Sequence, residues 1–287
     1  MKNHEANRQI THVSKGIPAT DGAGVTLTRI IGSPELDMLD PFLLLDSFAS
    51  DDPNDYIAGF PLHPHRGFET VTYMLAGKMR HEDNTGRSGV IGPGGVQWMT
   101  AGRGIIHSEM PEQEEGLLHG FQLWVNLPAT EKMSEPHYRE YDASEIPIEK
   151  REAGAEVRVI TGTTEQGTKG PVTDVITTPL YLDVRLMKSS RFTETIPVTH
   201  NAFVYVVKGV VAVIGEQLEV EEKVSAGFLG VLGDGNRVEL VGLEDETQLL
   251  LIAGCRLGEP VARGGPFVMN TRAELTQAVR DYQSGQF

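Results

Sequence analysis

Short segments in which apolar and polar residues alternate run through most of the chain. Residues 25–30, 121–127 and 180–186 place apolar side chains at every second position, the pattern of a strand with one buried face. Residues 204–207 and 210–214 are more continuously apolar, as in strands that are buried on both faces. Because 32 glycines and 16 prolines punctuate these segments, the pattern predicts an all-β protein.

The organisation of the chain follows from its length and from one polar stretch. At 287 residues the chain is about twice the usual domain length, and residues 128–156 form a charged, proline-interrupted connection. We therefore predict two domains, residues 1–135 and residues 136–287. Near the end, Thr271 followed by Glu274 matches a capping box before apolar residues at helical spacing, which predicts a short C-terminal helix.

The charge balance and the cysteine count restrict the partners and the compartment. Asp and Glu total 40 against 25 Lys and Arg, a formal net charge of -15, and such a surface repels nucleic acid and anionic membranes. No apolar run approaches the roughly 20 residues that cross a bilayer. The start of the chain lacks a secretory pattern, and the single Cys255 cannot form an internal disulfide, so the cytoplasm is the expected compartment.

Two short pairs of metal-ligating residues carry the chemistry. His63 and His65 lie two apart, as do His107 and Glu109, so each pair can point to one face of a strand. A single histidine is most often a surface or hydrogen-bonded core residue, but two such pairs together favour a metal site. Three imidazole nitrogens and one carboxylate suit one divalent transition ion: Fe(II), Mn(II), Ni(II), Cu(II) or Zn(II).

Residues around these pairs leave several roles open. Glu69 follows His65 by four residues, so on an uninterrupted strand the two side chains share one face. Glu69 could then be a fifth ligand or a general base, but we favour a third role, a hydrogen-bond partner that orients a ligand histidine. Arg66 and Arg103 could counter an anionic substrate or be exposed solubilising residues. The glycines of residues 89–104 lack a phosphate-loop or dinucleotide motif, which excludes a nucleotide cofactor and favours tight turns.

Three stretches resemble the cupins, and more narrowly pirin and the bacterial pirin-like proteins, some of which act as quercetinases. They are residues 63–77 (HPHRGFETVTYMLAG), residues 95–111 (GVQWMTAGRGIIHSEMP) and residues 265–271 (GPFVMNT) with 281–285. The resemblance implies two tandem cupin barrels, each a double-stranded β-helix or jelly roll, with one iron in the first barrel and no metal in the second. Its motif positions imply the ligands His63, His65, His107 and Glu109.

The resemblance also implies a function. A pirin-type dioxygenase would open the ring of a quercetin-like flavonol with O2 and release carbon monoxide, with Glu109 or Glu69 taking the substrate proton. The alternative is a non-enzymatic, iron-dependent, redox-sensitive regulator that binds a protein partner. A third reading is an isomerase or hydrolase that uses Zn(II) as a Lewis acid. Nothing in the sequence indicates an oligomeric state.

Overall fold

The structure of the protein, a computed structural model, describes residues 6–215 and 221–287; the first five residues of the predicted first domain thus lie outside it. Within these ranges, 24 strands, one turn of 3-10 helix (Pro53–Asp55) and one α-helix, α1 (Arg272–Gln283), make up the regular structure. The strands are β1 (Ile10–Ser14), β2 (Ile17–Asp21), β3 (Val25–Ile31), β4 (Phe42–Ser50), β5 (Phe60–His65), β6 (Phe68–Ala76), β7 (Met79–Asp83), β8 (Ser88–Ile91), β9 (Val96–Thr100), β10 (Ile105–Pro111), β11 (Leu118–Asn126), β12 (His137–Tyr141), β13 (Ile148–Lys150), β14 (Ala155–Thr161), β15 (Leu180–Leu186), β16 (Arg191–Thr195), β17 (His200–Lys208), β18 (Val210–Ile214), β19 (Glu221–Ser225), β20 (Leu229–Leu232), β21 (Arg237–Gly242), β22 (Thr247–Cys255), β23 (Ala262–Gly264) and β24 (Phe267–Met269). The predicted all-β class is confirmed.

The chain forms two compact units, and each unit takes in one end of the chain. The N-terminal unit comprises Ile17–Glu145 and Leu257–Phe287, and the C-terminal unit comprises Met1–Gly16 and Ile146–Arg256. The predicted boundary between two domains, after residue 135, stays a prediction.

Two antiparallel sheets form the barrel of the N-terminal unit. The larger sheet has the order β12-β9-β6-β11-β4-β3-β2, and the smaller has the order β5-β10-β7-β8. Alternation explains which side chains enter the core: on β3, Val25 and Leu27 are buried while Thr26 between them is exposed. A further small pair, β23-β24, belongs to the same unit. This is the predicted double-stranded β-helix.

The C-terminal unit repeats this arrangement. Its sheets have the orders β1-β20-β17-β22-β15-β14-β13 and β16-β21-β18-β19, which match those of the N-terminal unit strand for strand. At Gly77 and at Gly209 the chain passes from the large sheet into the small one, so the strands on either side of Gly209 are not hairpin partners. Apolar side chains such as Phe192 and Leu240 pack the interior of this barrel.

The C-terminal helix begins and packs much as the capping pattern predicts. The Thr271 hydroxyl accepts from the Glu274 amide at 3.2 Å, and the Glu274 carboxylate accepts from the Thr271 amide at 2.8 Å. Ala278 is buried on the side that faces β23 and β24, whereas Val279 and Tyr282 stay exposed. Among the described residues, no helix has the length and apolar character needed to cross a membrane.

Candidate metal centre

Strands β5 and β10 bring the two predicted ligand pairs together. They pair antiparallel, with His63 directly opposite His107 and His65 opposite Ile105. Directly opposed residues on neighbouring strands share a face, and so do residues two apart on one strand. The side chains of His63, His65 and His107 therefore all point into the barrel of the N-terminal unit.

The three imidazoles converge on one point. Ring centroids lie 4.7 Å apart for His63 and His65, 4.5 Å for His63 and His107, and 5.1 Å for His65 and His107. One ring nitrogen from each histidine lies within 4.8 Å of the other two. His107 is fully buried, His65 is 3% exposed, and His63 is half-buried at the barrel opening.

Hydrogen bonding and burial act on these three rings. The Nδ1 of His63 lies 2.8 Å from the Pro61 carbonyl; because a carbonyl only accepts, Nδ1 donates this hydrogen bond, and Nε2 is the nitrogen that faces His65. Burial, then the charge on His63, lowers the pKa of His65 well below its usual range. Burial, then His65, does the same to the pKa of His107. Neutral imidazoles are the form that binds a metal ion.

The geometry of the rings fits a cation. Both ring nitrogens of His107 are buried without a hydrogen-bond partner among the described residues, and each such group costs about 1–3 kcal/mol unless a partner supplies the missing interaction. The Nε2 atoms of His63 and His65 are 3.0 Å apart. Two nitrogens bound at right angles to one ion, each at about 2.1 Å, would be about 3.0 Å apart.

Glu109 lies beside the histidines, held by two side chains. Glu109 follows His107 by two residues on β10 and faces the same way. Where β10 pairs with β5, a β-bulge lies between these two residues. Its Oε1 accepts from the Thr72 hydroxyl at 2.7 Å and its Oε2 accepts from the Gln122 amide at 2.7 Å. Burial raises the pKa of Glu109, and the Thr72 hydrogen bond opposes that rise.

The carboxylate of Glu109 is not one of the donor atoms that lie within 4.8 Å of one another. Each carboxylate oxygen has a second lone pair, so its two hydrogen bonds leave capacity for a cation. The predicted role of Glu109 as the fourth ligand stays a prediction.

The structure does not bring Glu69 to the histidines. The expected uninterrupted strand is broken, because β5 ends at His65 and β6 begins at Phe68 after a turn at Gly67, where φ is 87°. The Phe68 ring lies 5.1 Å from the His65 ring, so Glu69, the next residue, points to the opposite face of β6. Its carboxylate accepts from the Thr100 hydroxyl at 2.7 Å, and burial raises its pKa.

A cavity of about 730 Å³ opens beside the histidines. Its polar lining comprises His63, His65, Glu109, Gln122, Asp21, Asp46 and two arginines. Its apolar wall comprises Leu27, Leu44, Phe48, Phe60, Leu62 and Trp124. The Trp124 ring stands edge-on to the His65 ring with centroids 5.3 Å apart. The volume lies within the range of small-molecule sites, and the apolar wall suits an aromatic ligand.

Two arginines that the sequence analysis missed line this cavity, Arg29 and Arg263. Arg29 donates to both carboxylate oxygens of Asp46, at 3.0 and 2.7 Å, and to Asp21 at 2.7 Å. These partners raise the pKa of Arg29. Arg29 occupies a half-buried position in an alternating strand, which is a weak signal for a paired arginine, whereas nothing near Arg263 in the sequence indicates its place.

The two arginines considered from sequence lie elsewhere. Arg66 is buried and donates to Asp281 at 2.7 Å, and the Phe287 ring covers its guanidinium at 4.3 Å. Arg103 is exposed and pairs with Glu135 at 3.0 Å. Neither lines the cavity, so the structure does not place them against a substrate.

Comparison with known proteins covers nearly the whole chain. Residues 24–125 match the family model of pirin, and residues 181–287 match that of the pirin C-terminal cupin domain. A pirin-like protein of Caulobacter vibrioides is 53% identical over 98% of this chain and 99% of its own length. Pirin of Homo sapiens is 45% identical over 93% of this chain and 89% of its own length. The crystal structure of a quercetin 2,3-dioxygenase from Acinetobacter baumannii superposes with a TM-score of 0.88 and 34% identity, over 98% of this chain and 99% of that one.

Proposed function

The chain belongs to the pirin family, and we propose that it is a metal-dependent dioxygenase that opens the ring of a flavonol-like aromatic substrate with O2. One observation carries the proposal. Three imidazoles, with both nitrogens of His107 buried and unpartnered within the described ranges, converge on the wall of a cavity of about 730 Å³. The similarity to a solved quercetin 2,3-dioxygenase supports this reaction class over other uses of such a site.

In this proposal His63, His65 and His107 hold the ion, and Glu109 completes the set. Fe(II) is our first choice, because three imidazoles and one carboxylate suit it, and the same donors also accept Mn(II), Ni(II), Cu(II) or Zn(II). When bound, the ion supplies Lewis acidity that lowers the pKa of a substrate hydroxyl and a route for reaction with O2. The overall change converts a flavonol and O2 into a ring-opened ester and carbon monoxide.

Glu109 is our choice for the group that takes the proton from the substrate hydroxyl. It lines the cavity, and burial raises its pKa, which makes the carboxylate a stronger proton acceptor. Thr72 and Gln122 donate to its two oxygens and thereby orient the carboxylate. The catalytic role predicted for Glu69 stays a prediction, because from the far face of β6 it would act only through that strand.

The apolar wall would bind the rings of the substrate. Trp124 stands edge-on to His65, and Phe60 lies at the start of β5, the strand that bears His63 and His65. Rings packed there displace water from the reacting end, which protects the ionised substrate from reprotonation.

The test is aerobic turnover of quercetin by protein loaded with Fe(II), followed by loss of visible absorbance and by detection of carbon monoxide. We expect turnover in the wild type, its loss in His63→Ala, and its retention in the matched control His12→Ala, which removes an exposed histidine that does not line the cavity.

Two results would overturn the proposal. A loaded protein without turnover that binds a host protein according to the oxidation state of the metal would favour the regulator. A native zinc ion with a reaction that consumes no O2 would favour an isomerase or hydrolase.

A further inference from the structure

We propose that Arg263 selects the substrate by binding an acidic group, a carboxylate or an ionised phenol, at the end of the aromatic ligand remote from the histidines. The inference rests on the proposed function, because it describes a second contact in the same cavity. It adds a substrate class: aromatic compounds with chelating oxygens at one end and an anionic substituent at the other.

The two arginines of the cavity differ in how their charge is used. Arg29 is fully engaged by Asp46 and Asp21. Arg263 makes one hydrogen bond, from Nη1 to the Leu43 carbonyl at 2.9 Å. In the part of the chain that the structure describes, its Nε and Nη2 have no partner, and no carboxylate pairs with it.

The unused edge of this guanidinium suits a carboxylate. Nε and Nη2 form a fork of two parallel N–H donors, which matches both oxygens of a carboxylate. Of the carboxylates that line the cavity beside the arginines, Asp46 accepts from Arg29 at both oxygens and Asp21 accepts from Arg29 at one, and neither forms an ion pair with Arg263. A leucine carbonyl fixes the other edge, so the fork is oriented before a ligand arrives.

Trp124 sets the direction in which a ligand would lie. Its ring centroid is 5.3 Å from that of His65 and 5.2 Å from the guanidinium carbon of Arg263. The indole is therefore a neighbour of both the candidate metal centre and Arg263. A flat ligand beside this wall, with its chelating oxygens at the histidines, directs its other end toward the free fork.

The surroundings of Arg263 do not fully compensate its charge. Burial, then the positive charge of Arg29, lowers the pKa of Arg263, while Asp37, Asp46 and Asp21 raise it. Because the net shift is downward, the environment of Arg263 opposes the charge that an arginine keeps at neutral pH. An anionic substituent on the ligand would relieve this opposition. The same substituent as a neutral ester would not.

The experiment compares matched ligands that differ only in charge. The probes are 3-hydroxyflavone with a carboxylate at position 7 or at position 4′, each beside its methyl ester, and binding to Mn(II)-loaded protein without O2 is measured by calorimetry. We expect the wild type to bind at least one of the acids about tenfold more tightly than its ester, because a charged hydrogen bond contributes about that factor.

Three variants isolate the fork. Arg263→Gln should bring the ratio of acid to ester affinity to about one, and Arg263→Lys, which keeps the charge and loses the fork, should give an intermediate ratio. Arg80→Gln removes one exposed positive charge that does not line the cavity, and it should keep the wild-type ratio.

Equal binding of acid and ester by the wild type, or an unchanged ratio in both Arg263 variants, would overturn the inference. Because no O2 is present, the result does not depend on turnover. A ratio that depends on Arg263 in a protein without dioxygenase activity would leave this inference standing while the proposed function fails.

Discussion

Arg66 and Asp281 form an ion pair of 2.7 Å that ties the residue after His65 to the C-terminal helix. The Nε of Arg66 also donates to the Arg103 carbonyl, in the loop that leads into β10 and His107. One buried guanidinium thus holds both segments that carry the histidines. The C-terminal segment therefore supports the candidate metal centre as well as closing the N-terminal unit.

We expect Asp281→Asn to lower the melting temperature at pH 7, because it leaves the buried charge of Arg66 without its counterion. Arg66 lowers the pKa of Asp281, so the stabilisation is present above the usual carboxyl pKa and is lost as the pH falls through the lower, folded-state pKa. The gap in melting temperature between wild type and variant should shrink below about pH 4. The exposed Asp51→Asn serves as the control, and a gap that is equally large at pH 7 and pH 3 would contradict the account.

Thr72→Val should slow turnover of a flavonol about tenfold and lower the melting temperature modestly, because the buried Oε1 of Glu109 loses one donor. The replacement keeps the shape of the side chain and removes the hydroxyl that donates to Glu109, a charged hydrogen bond worth about that factor. Steady-state kinetics should show the loss in kcat more than in KM, and Thr72→Ser should restore it. Full activity in Thr72→Val would argue against a positioning role.

Lys132→Met should destabilise the fold by about 3 kcal/mol or more, because three buried acceptors lose their donor. The Lys132 amine donates to the Gly67 carbonyl at 2.8 Å, to Asn126 at 2.7 Å and to the Val268 carbonyl at 3.0 Å. Burial lowers its pKa to about 8, so it stays protonated at pH 7 and uses all three hydrogens. Urea denaturation measures the loss. Lys188→Met, at an exposed position, is the control, and similar midpoints for both variants would refute the expectation.

Local pattern was enough to predict the all-β class, the capped helix and the shared face of His63 and His65. Those features depend on strand alternation and on spacings of two to four residues. The meeting of this pair with His107 depends on the pairing of β5 with β10, which spacing alone does not give. The prediction for Glu69 assumed that alternation continues through Gly67, but a turn there resets the phase. A single residue of positive φ is enough to move a side chain to the other face.

The arginines of the cavity show why the rest could not be predicted. Arg29 and Arg263 lie at opposite ends of the chain and line one cavity because the C-terminal segment returns to the N-terminal unit. Arg66 follows the predicted ligand His65 in sequence, but its guanidinium forms an ion pair with Asp281, far along the chain, instead of lining the cavity. Pairings of this kind depend on tertiary contacts between distant segments, which periodicity does not encode.

The account depends most directly on a cation held by the three imidazoles. A crystal equilibrated with Fe(II) under anaerobic conditions, with diffraction recorded above the iron absorption edge, locates that cation by its anomalous signal. We expect one peak per chain at about 2.1 Å from a ring nitrogen of each of His63, His65 and His107, and its loss in His107→Ala. The absence of a peak in the wild type, or a peak held by other residues, would contradict the account.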